Sequence, residues 1–184
     1  MSETTLARVV KSMQEGDHDA FRVLFERVHD RLFVYAASRS PSRDQALDLV
    51  QETFVDIWKQ RNSFTYHDDE RLLGLIFLIL KRKMIKRYRD KNEHHESLDE
   101  RTEKIGDHDE ELSFLPHYED HRLLQKVIDQ LSSRSKEVIA LRYWSDLSFQ
   151  EIAVALSITE TAAKVRHHRA IKELKEKLLS HGYE

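Results

Sequence analysis

The sequence predicts an all-α protein of two helical domains. Apolar residues recur at steps of three and four along most of the chain, which is the period of an amphipathic helix. The 184 residues include four glycines and two prolines, so few turns are signalled between these segments. Residues 92–119 lack sustained periodicity and are acidic. We therefore expect one helical domain at 1–91, an acidic linker at 92–119 and a second helical domain at 120–184.

The first domain is predicted to contain four helices, which cover residues 4–15, 18–38, 43–60 and 70–89. Ser40-Pro41 ends the second helix, and Ser42 with Gln45 begins the third as a capping box. The fourth helix is apolar nearly all round in its first half and basic in its second. An all-apolar half is typical of a helix that is buried in a bundle.

Charge is strongly segregated around the end of this fourth helix. The net charge of the chain is −3, yet residues 81–91 hold seven cations and one anion. Residues 92–120 hold eleven anions and two cations. Local patches set the field within a Debye length, about 10 Å. The basic segment therefore indicates a surface for nucleic acid, and we expect the acidic linker to mask it in the free protein.

The second domain contains a predicted helix-turn-helix over Leu147–Leu178. Ser148 and Glu151 form a capping box for the first helix, and Thr159 caps the second. Ser157 and Ile158 form the turn between the two helices. The second helix carries six cations and two anions over residues 161–178. This layout is typical of a helix that lies in the DNA major groove, although a solvated charged face is the alternative interpretation.

Other functional classes are disfavoured by composition. The chain has no cysteine, which excludes disulfides and thiolate chemistry, and no signal peptide is recognisable. Its longest apolar run, Leu72–Leu80, is far shorter than the roughly 20 residues that span a bilayer. We expect a cytoplasmic protein without membrane insertion.

Neither a catalytic nor a metal centre is predicted. The eleven histidines lack a clean ligand spacing, so no metal site and no cofactor is expected. No nucleophile–base set or phosphate-binding loop stands out, and the protein is predicted not to be an enzyme. Five histidines in or beside the linker can instead modulate its charge near neutral pH: His94, His95, His108, His117 and His121.

Three segments together resemble the extracytoplasmic-function (ECF) group of bacterial RNA polymerase sigma factors, in the sigma-70 family. Asp44–Arg61 (DQALDLVQETFVDIWKQR) is similar to the core-polymerase-binding helix of the family. Leu75–Lys91 is similar to its promoter-melting helix, and Leu131–Leu178 to the domain that reads the upstream promoter element. The resemblance implies a region 2-like bundle and a region 4-like helix-turn-helix, with core polymerase, promoter DNA and an anti-sigma factor as partners.

The resemblance also implies which residues carry each role. Core binding falls on an acidic face with two apolar anchors expected to be exposed: Asp48, Leu49, Gln51, Glu52, Val55 and Asp56. Promoter melting and single-strand capture fall on a basic and aromatic set: Lys81, Arg82, Lys86, Arg87, Tyr88 and Arg89. Phe64 and Tyr66, in the preceding loop, are either part of a flipped-base pocket or plugs of the core.

Contacts to the upstream element are implied at the start of the second helix of the helix-turn-helix. Expected base-edge positions are Glu160, Thr161, Lys164, Val165 and His168, and expected phosphate contacts are Arg166, Arg169 and Lys172. The sequence departs from the family pattern in both domains, at Leu75, Arg82, Lys86, Ser157, Thr161 and Ala162. These departures affect which promoter sequence is recognised and how selectively the promoter is melted. Because the family usually has glycine where Ser157 stands, the resemblance also implies a positive φ at Ser157.

Two other functions compete with a sigma factor. One is a stand-alone helix-turn-helix regulator whose N-terminal bundle dimerises or senses a signal. The other is an interaction protein that keeps the fold but has lost promoter melting, which the departures at Leu75, Arg82 and Lys86 motivate.

Overall fold

The computed structural model of the chain describes residues 5–94, 124 and 126–180, with side chains up to residue 90 in the first range. All regular secondary structure in these ranges is helical, which confirms the predicted all-α class. The helices are α1 (Leu6–Gln14), α2 (His18–Ala37), α3 (Arg43–Lys59), α4 (Asp69–His94), α5 (Ser133–Ile139), α6 (Phe149–Leu156) and α7 (Glu160–Ser180). A 3-10 turn, Arg61–Ser63, follows α3, and a π-helical turn, Ala140–Trp144, extends α5.

Side-chain caps begin α3 and α6 where the sequence predicts them. The Ser42 Oγ accepts a hydrogen bond from the backbone N–H of Gln45 at 3.3 Å. The Ser148 Oγ accepts from the N–H of Glu151 at 3.2 Å, and the Glu151 carboxylate accepts from the N–H of Ser148. The predicted capping box at the start of the helix-turn-helix is therefore confirmed.

The turn between α6 and α7 is a left-handed one. Ser157 has φ 54° and ψ 47°, which confirms the positive φ expected there. Glycine is the usual residue at such a helix end because it has no Cβ penalty. Thr159 then caps α7, since its Oγ1 accepts from the N–H of Ala162 at 3.1 Å.

Helices α1 to α4 share a hydrophobic core. Large side chains from three of them, Leu24, Tyr35, Ile57 and Phe77, are fully buried. Leu49 is also in this core, with 3% of its surface exposed. The expectation that Leu49 is exposed is therefore wrong, because the α3 face that carries it packs into the bundle.

The apolar half of α4 is shared by both parts of the chain. In the described residues the most extensive helix–helix packing joins α4 to α6, the first helix of the helix-turn-helix. Gly74 stands at the point of closest approach, and buried residues of both parts form one continuous cluster. Helix α4 also continues to His94, beyond the predicted end near Arg89, since no glycine or proline interrupts it. The linker expected at 92–119 lies largely outside the described residues, so the two-domain division stays a prediction.

Candidate protein- and nucleic-acid-binding surfaces

The outer face of α3 presents an acidic strip around one apolar side chain. Asp48, Gln51 and Glu52 are exposed, and Val55 is 49% exposed, as the sequence predicts for Val55. Together with Asp56, Lys59 and Lys83, these residues line a shallow groove. An exposed aliphatic side chain among charged and amide groups has the composition of a protein-binding surface.

Two cations of α4 are bound to this acidic strip. The Lys83 Nζ lies 2.6 Å from the Asp56 Oδ2 and 3.8 Å from the Glu52 Oε2. The Arg87 Nη2 lies 2.7 Å from the Glu52 Oε1. Glu52/Asp56 and Lys83/Arg87 are each four residues apart, so each pair lies on one face of its helix. The sequence contains this matched spacing, but only the packing of α3 on α4 identifies the pairs.

The exposed stripe of the basic half of α4 is narrower than its charge suggests. It consists of Arg82, Ile85, Lys86, Tyr88 and Arg89, and Tyr88 is 66% exposed. The ion pair with Glu52 holds Arg87 against α3, and 30% of the Arg87 side chain is exposed. Ile85 is 58% exposed, although its sequence position did not suggest a role in binding.

Lys81 lies on another side of α4. Its Nζ is 3.2 Å from the Glu137 Oε1 of α5, and only 22% of its side chain is exposed. The structure therefore does not place Lys81 with the other predicted single-strand contacts.

The loop before α4 holds the two predicted pocket aromatics in different environments. Phe64 is 8% exposed and belongs to the core, and its carbonyl accepts from the Gln14 Nε2 at 2.6 Å. Tyr66 is half-buried and donates to the Asp69 Oδ1 at 2.7 Å, and this hydrogen bond raises the pKa of Tyr66. Of the two alternatives for Phe64, its burial favours the core plug.

The start of α7 combines polar groups with one apolar side chain. Thr161, Lys164, Val165, His168 and Arg169 are exposed. Lys164 pairs with Glu160 at 2.7 Å, and Lys172 with Glu176 at 3.8 Å, both within the helix. The predicted base-edge positions therefore include an exposed aliphatic group, Val165, able to contact a thymine methyl in a major groove.

A cluster beside this helix was missed by the sequence reasoning. The His167 Nε2 lies 3.1 Å from the Tyr143 hydroxyl, and the His167 ring packs edge-on against Phe149. Burial lowers the pKa of His167, and the nearby charges of Arg142 and His168 lower it further. Arg142 in turn lies over the Phe149 ring, 5.3 Å from its centroid. The sequence shows only that His167 and His168 are adjacent, and it does not indicate that His167 contacts Tyr143 in the π-helical turn.

None of the helices in the described ranges is long and apolar enough to cross a bilayer. Those ranges also contain no group of three or more potential metal ligands. The linker histidines lie outside the residues whose side chains are described.

Comparisons with known proteins agree on one family. Residues 24–94 match the family model of sigma-70 region 2, and residues 121–174 match that of sigma-70 region 4. The chain is 29% identical over 177 residues to RNA polymerase sigma factor SigV of Bacillus subtilis, covering 96% of this chain and 94% of SigV. It is 26% identical over 175 residues to ECF RNA polymerase sigma factor BldN of Streptomyces coelicolor, covering 92% of this chain and 64% of BldN.

Solved structures show the same fold. The chain is similar to CnrH, solved in complex with the cytosolic domain of CnrY, with a TM-score of 0.68, 22% identity and coverage of 94% and 96% of the two chains. It is also similar to the sigma factor RpoE of Bartonella quintana, solved with the anti-sigma factor NepR, with a TM-score of 0.63, 23% identity and coverage of 86% and 96%. The matches to sigma-70 region 2 and region 4, together with the similarity to ECF sigma factors along nearly the whole chain, show that it belongs to the sigma-70 family of bacterial RNA polymerase sigma factors, in its ECF group.

Proposed function

We propose that this sigma factor uses three separate surfaces to start transcription: α3 for core polymerase, the end of α4 for the melted strand and α7 for the upstream duplex. The observation that carries the proposal is the separation of charge in the folded chain. The exposed strip of α3 is acidic, whereas the exposed stripes of α4 and α7 are basic. A protein partner and a nucleic acid can therefore be bound at the same time. Such a factor positions DNA for the polymerase and has no reaction of its own.

Core binding is assigned to Asp48, Gln51, Glu52 and Val55. The ion pairs from Lys83 and Arg87 hold the neighbouring carboxylates in place, which reduces the side-chain entropy that an interface must remove. Val55 provides an apolar centre and the acids a polar rim, the arrangement found in specific interfaces. Asp48 is exposed and lies outside these ion pairs, so its negative charge fits a basic partner surface.

Single-strand binding is assigned to the exposed stripe of α4. Arg82, Lys86 and Arg89 can follow phosphates, and Tyr88 offers a face on which a base stacks. Stacking is tolerant of sequence, and it suits a strand whose bases are already unpaired. Phe64 is not assigned to single-strand binding, because its buried ring would have to leave the hydrophobic core to contact a base.

Upstream-element recognition is assigned to the first turns of α7. Thr161, Val165 and His168 are separated by four and three residues and lie on one face. The N-terminal residues of a recognition helix contact base edges, and later cations contact phosphates. Arg169 and Lys172 are the cations in that later position.

An anti-sigma factor is a further expected partner. RpoE, to which the chain is similar in fold, was solved with the anti-sigma factor NepR, and CnrH was solved with the cytosolic domain of CnrY. An inhibitor that covers α3 would block core binding directly.

The test of the proposal is core-polymerase pulldown followed by run-off transcription on a genomic library. We expect Asp48→Arg with Glu52→Arg to abolish retention of core and to remove all transcripts. The matched control is Glu15→Arg with Glu26→Arg, which makes the same charge change at exposed sites of the bundle away from α3. Tight dimeric binding to a duplex operator, without any core binding by the wild-type chain, would instead identify a stand-alone regulator.

A further inference from the structure

Three parts of the helix-turn-helix unit meet at the His167 ring. The ring packs edge-on against Phe149, the first residue of α6, with the two centroids 5.2 Å apart. The His167 Nε2 lies 3.1 Å from the hydroxyl of Tyr143 in the π-helical turn. Arg142 of the same turn lies over the Phe149 ring and donates from its Nη1 to the Leu147 carbonyl at 2.8 Å. One polar contact of α7 is therefore part of a junction between the π-helical turn, α6 and α7.

A second polar contact holds α7 farther along its length. The Glu173 carboxylate accepts from the Ser135 Oγ at 2.7 Å and from the Ser132 N–H at 3.1 Å, at the start of α5. Six residues separate Glu173 from His167, which is about 9 Å along a helix. Two separate points of α7 are therefore bound to α5 and its π-helical extension.

The two contacts lie on opposite sides of the buried line of α7. Ala163 and Ala170 on this line are fully buried. At about 100° per residue, His167 lies about 60° to one side of Ala170 and Glu173 about 60° to the other. Polar contacts on both sides resist rotation of α7 about its own axis, whereas two buried methyl groups alone resist it little.

The side chains assigned to base edges lie on the opposite face of the same helix. Thr161, Val165 and His168 are exposed. Each is about 140–180° around the helix from the buried Ala170. A side chain ends about 5–6 Å from the helix axis, so a roll of about 10° moves its end by about 1 Å. Because N–H···O bonds are made over a range of about 0.5 Å, a small roll is enough to break base contacts on that face.

Phosphate contacts are less sensitive to such a roll. Arg169 and Lys172 are exposed and have long, flexible side chains. Their attraction to phosphates acts over a Debye length of about 10 Å. A rotation that breaks base contacts therefore leaves most of the sequence-independent affinity in place.

We propose that His167 and Glu173 are positioning residues that fix the roll of α7, and that the contact between His167 and Tyr143 sets how selectively the upstream element is read. The proposal rests on the proposed function, because it concerns the helix assigned there to the upstream duplex. Neither His167 nor Tyr143 touches DNA in this role. Their effect is on the selectivity ratio, which is the Kd for a scrambled duplex divided by the Kd for the duplex that the wild type selects.

The test selects duplexes from a library with a randomised upstream element, using the full chain with and without core polymerase. Tyr143→Phe removes one exposed hydroxyl and keeps the ring. We expect it to lower the selectivity ratio about threefold to tenfold, the range expected for one hydrogen bond, and to leave the Kd for the scrambled duplex within about twofold of the wild type. Trp144→Phe, which changes the adjacent aromatic residue of the same turn, is the matched control and should keep the ratio.

A second comparison separates positioning from stability. His167→Leu introduces a good helix former that cannot bind the Tyr143 hydroxyl, whereas the amide introduced by His167→Gln still can. If His167 only supported the fold, both variants would keep the selectivity ratio. Positioning predicts that His167→Leu loses selectivity without any fall in the free energy of unfolding, and that His167→Gln stays near the wild type in selectivity.

The second contact is tested in combination with the first. Glu173→Gln weakens the bonds to Ser132 and Ser135 while it keeps the shape of the side chain. Combined with Tyr143→Phe, it should lower the selectivity ratio further than either single variant, since each remaining contact limits the roll.

Two results would overturn the proposal. One is an unchanged selectivity ratio in Tyr143→Phe and His167→Leu, and the other is an equal loss of affinity for the selected and scrambled duplexes. Failure of the proposed function is distinct: the wild type would then select a sequence but retain no core polymerase, and the full chain alone would still report the effect of Tyr143→Phe. A wild type that selects no sequence with or without core would overturn the assignment of α7 and this proposal together.

Discussion

The two basic helices carry their positive charge in different ways. On α4, three cations are held by acids of other elements: Lys81 by Glu137, Lys83 by Asp56 and Arg87 by Glu52. On α7, by contrast, Lys164 and Lys172 pair with acids of the same helix, Glu160 and Glu176. An acid of α7 binds another element: Glu173 accepts from the Ser135 Oγ at 2.7 Å and from the Ser132 N–H at 3.1 Å.

The difference shows that the number of cations in a helix sequence does not give the number that are available to bind DNA. Seven cations in residues 81–91 suggest a strong phosphate-binding helix, but part of that charge stabilises the fold and the acidic strip. Single-strand binding by α4 should therefore depend strongly on its aromatic residue, whereas binding by α7 should depend on its exposed cations.

The largest expected effect is at Tyr88. Replacing Tyr88 with alanine removes a stacking face that is 66% exposed, and it should weaken single-strand binding by about 1–3 kcal/mol. Tyr88→Phe keeps the ring and should bind within twofold of the wild type. Fluorescence anisotropy with an unlabelled duplex as competitor measures the change. Equal losses for alanine and phenylalanine would show that the hydroxyl, not the ring, makes the contact.

The next largest effect is a difference in stability between loss of a cation that joins two helices and loss of a cation that faces solvent. Lys83→Ala breaks the 2.6 Å pair with Asp56 between two helices and should lower the free energy of unfolding by about 1 kcal/mol. Lys164→Ala breaks a pair between residues four apart in one helix and should cost about 0.3–0.5 kcal/mol. Urea unfolding followed by circular dichroism gives both values.

The variant with the smaller effect on stability should have the larger effect on DNA binding. Lys164→Ala should weaken duplex binding more than Lys83→Ala, because Lys164 is on the exposed face of α7. If Lys83→Ala and Lys164→Ala had equal effects on the free energy of unfolding and equal effects on duplex binding, the cations of α4 and α7 would not differ in role.

Sequence alone was sufficient for most of the fold because its signals are local. The Ser148–Glu151 capping box, the left-handed Ser157 and the Thr159 cap each depend on residues a few positions apart. Element boundaries followed from the same apolar periodicity. Leu49 was placed on the wrong side because its neighbours Asp48 and Gln51 are polar, and the helix period puts position 49 on the inner face.

The surfaces were less predictable because they depend on contacts between distant residues. Nothing local marks Glu137 as the partner of Lys81, 56 positions away, or Tyr143 as the partner of His167. Gly74 within an apolar run read as an ordinary member of a buried helix, and only the position of Val154 gives it a reason. Residues that bind across helices were therefore assigned to solvent or DNA.

A smaller effect is expected at the turn that positions α7. Ser157→Gly relieves a left-handed backbone at a non-glycine residue and should raise the free energy of unfolding by about 0.5–1 kcal/mol. Single-strand binding through α4 should stay unchanged, since the substitution lies in the other DNA-binding unit. Ser157→Ala keeps the Cβ and serves as the control. A gain with alanine as large as with glycine would show that the hydroxyl, not the backbone, is the source of strain.

The smallest effect is expected at His167, where α7 is tied to the π-helical turn. Its pKa is lowered from the ordinary 6.5 by burial and by the charges of Arg142 and His168, so the folded chain binds a proton less readily than the unfolded chain. The contribution of His167 is therefore complete above pH 6.5 and is lost as the pH falls toward its lower folded pKa. Thermal unfolding between pH 7.5 and pH 5, roughly one unit or more on either side of that value, should show a shallower pH dependence for His167→Gln than for the wild type. His168→Gln, on the exposed side of the same helix, removes only the smallest of the three causes that lower the pKa of His167, so it should change the pH dependence less than His167→Gln does. If His168→Gln changed the pH dependence of unfolding as much as His167→Gln, the contact of His167 with Tyr143 would not be the source of the effect.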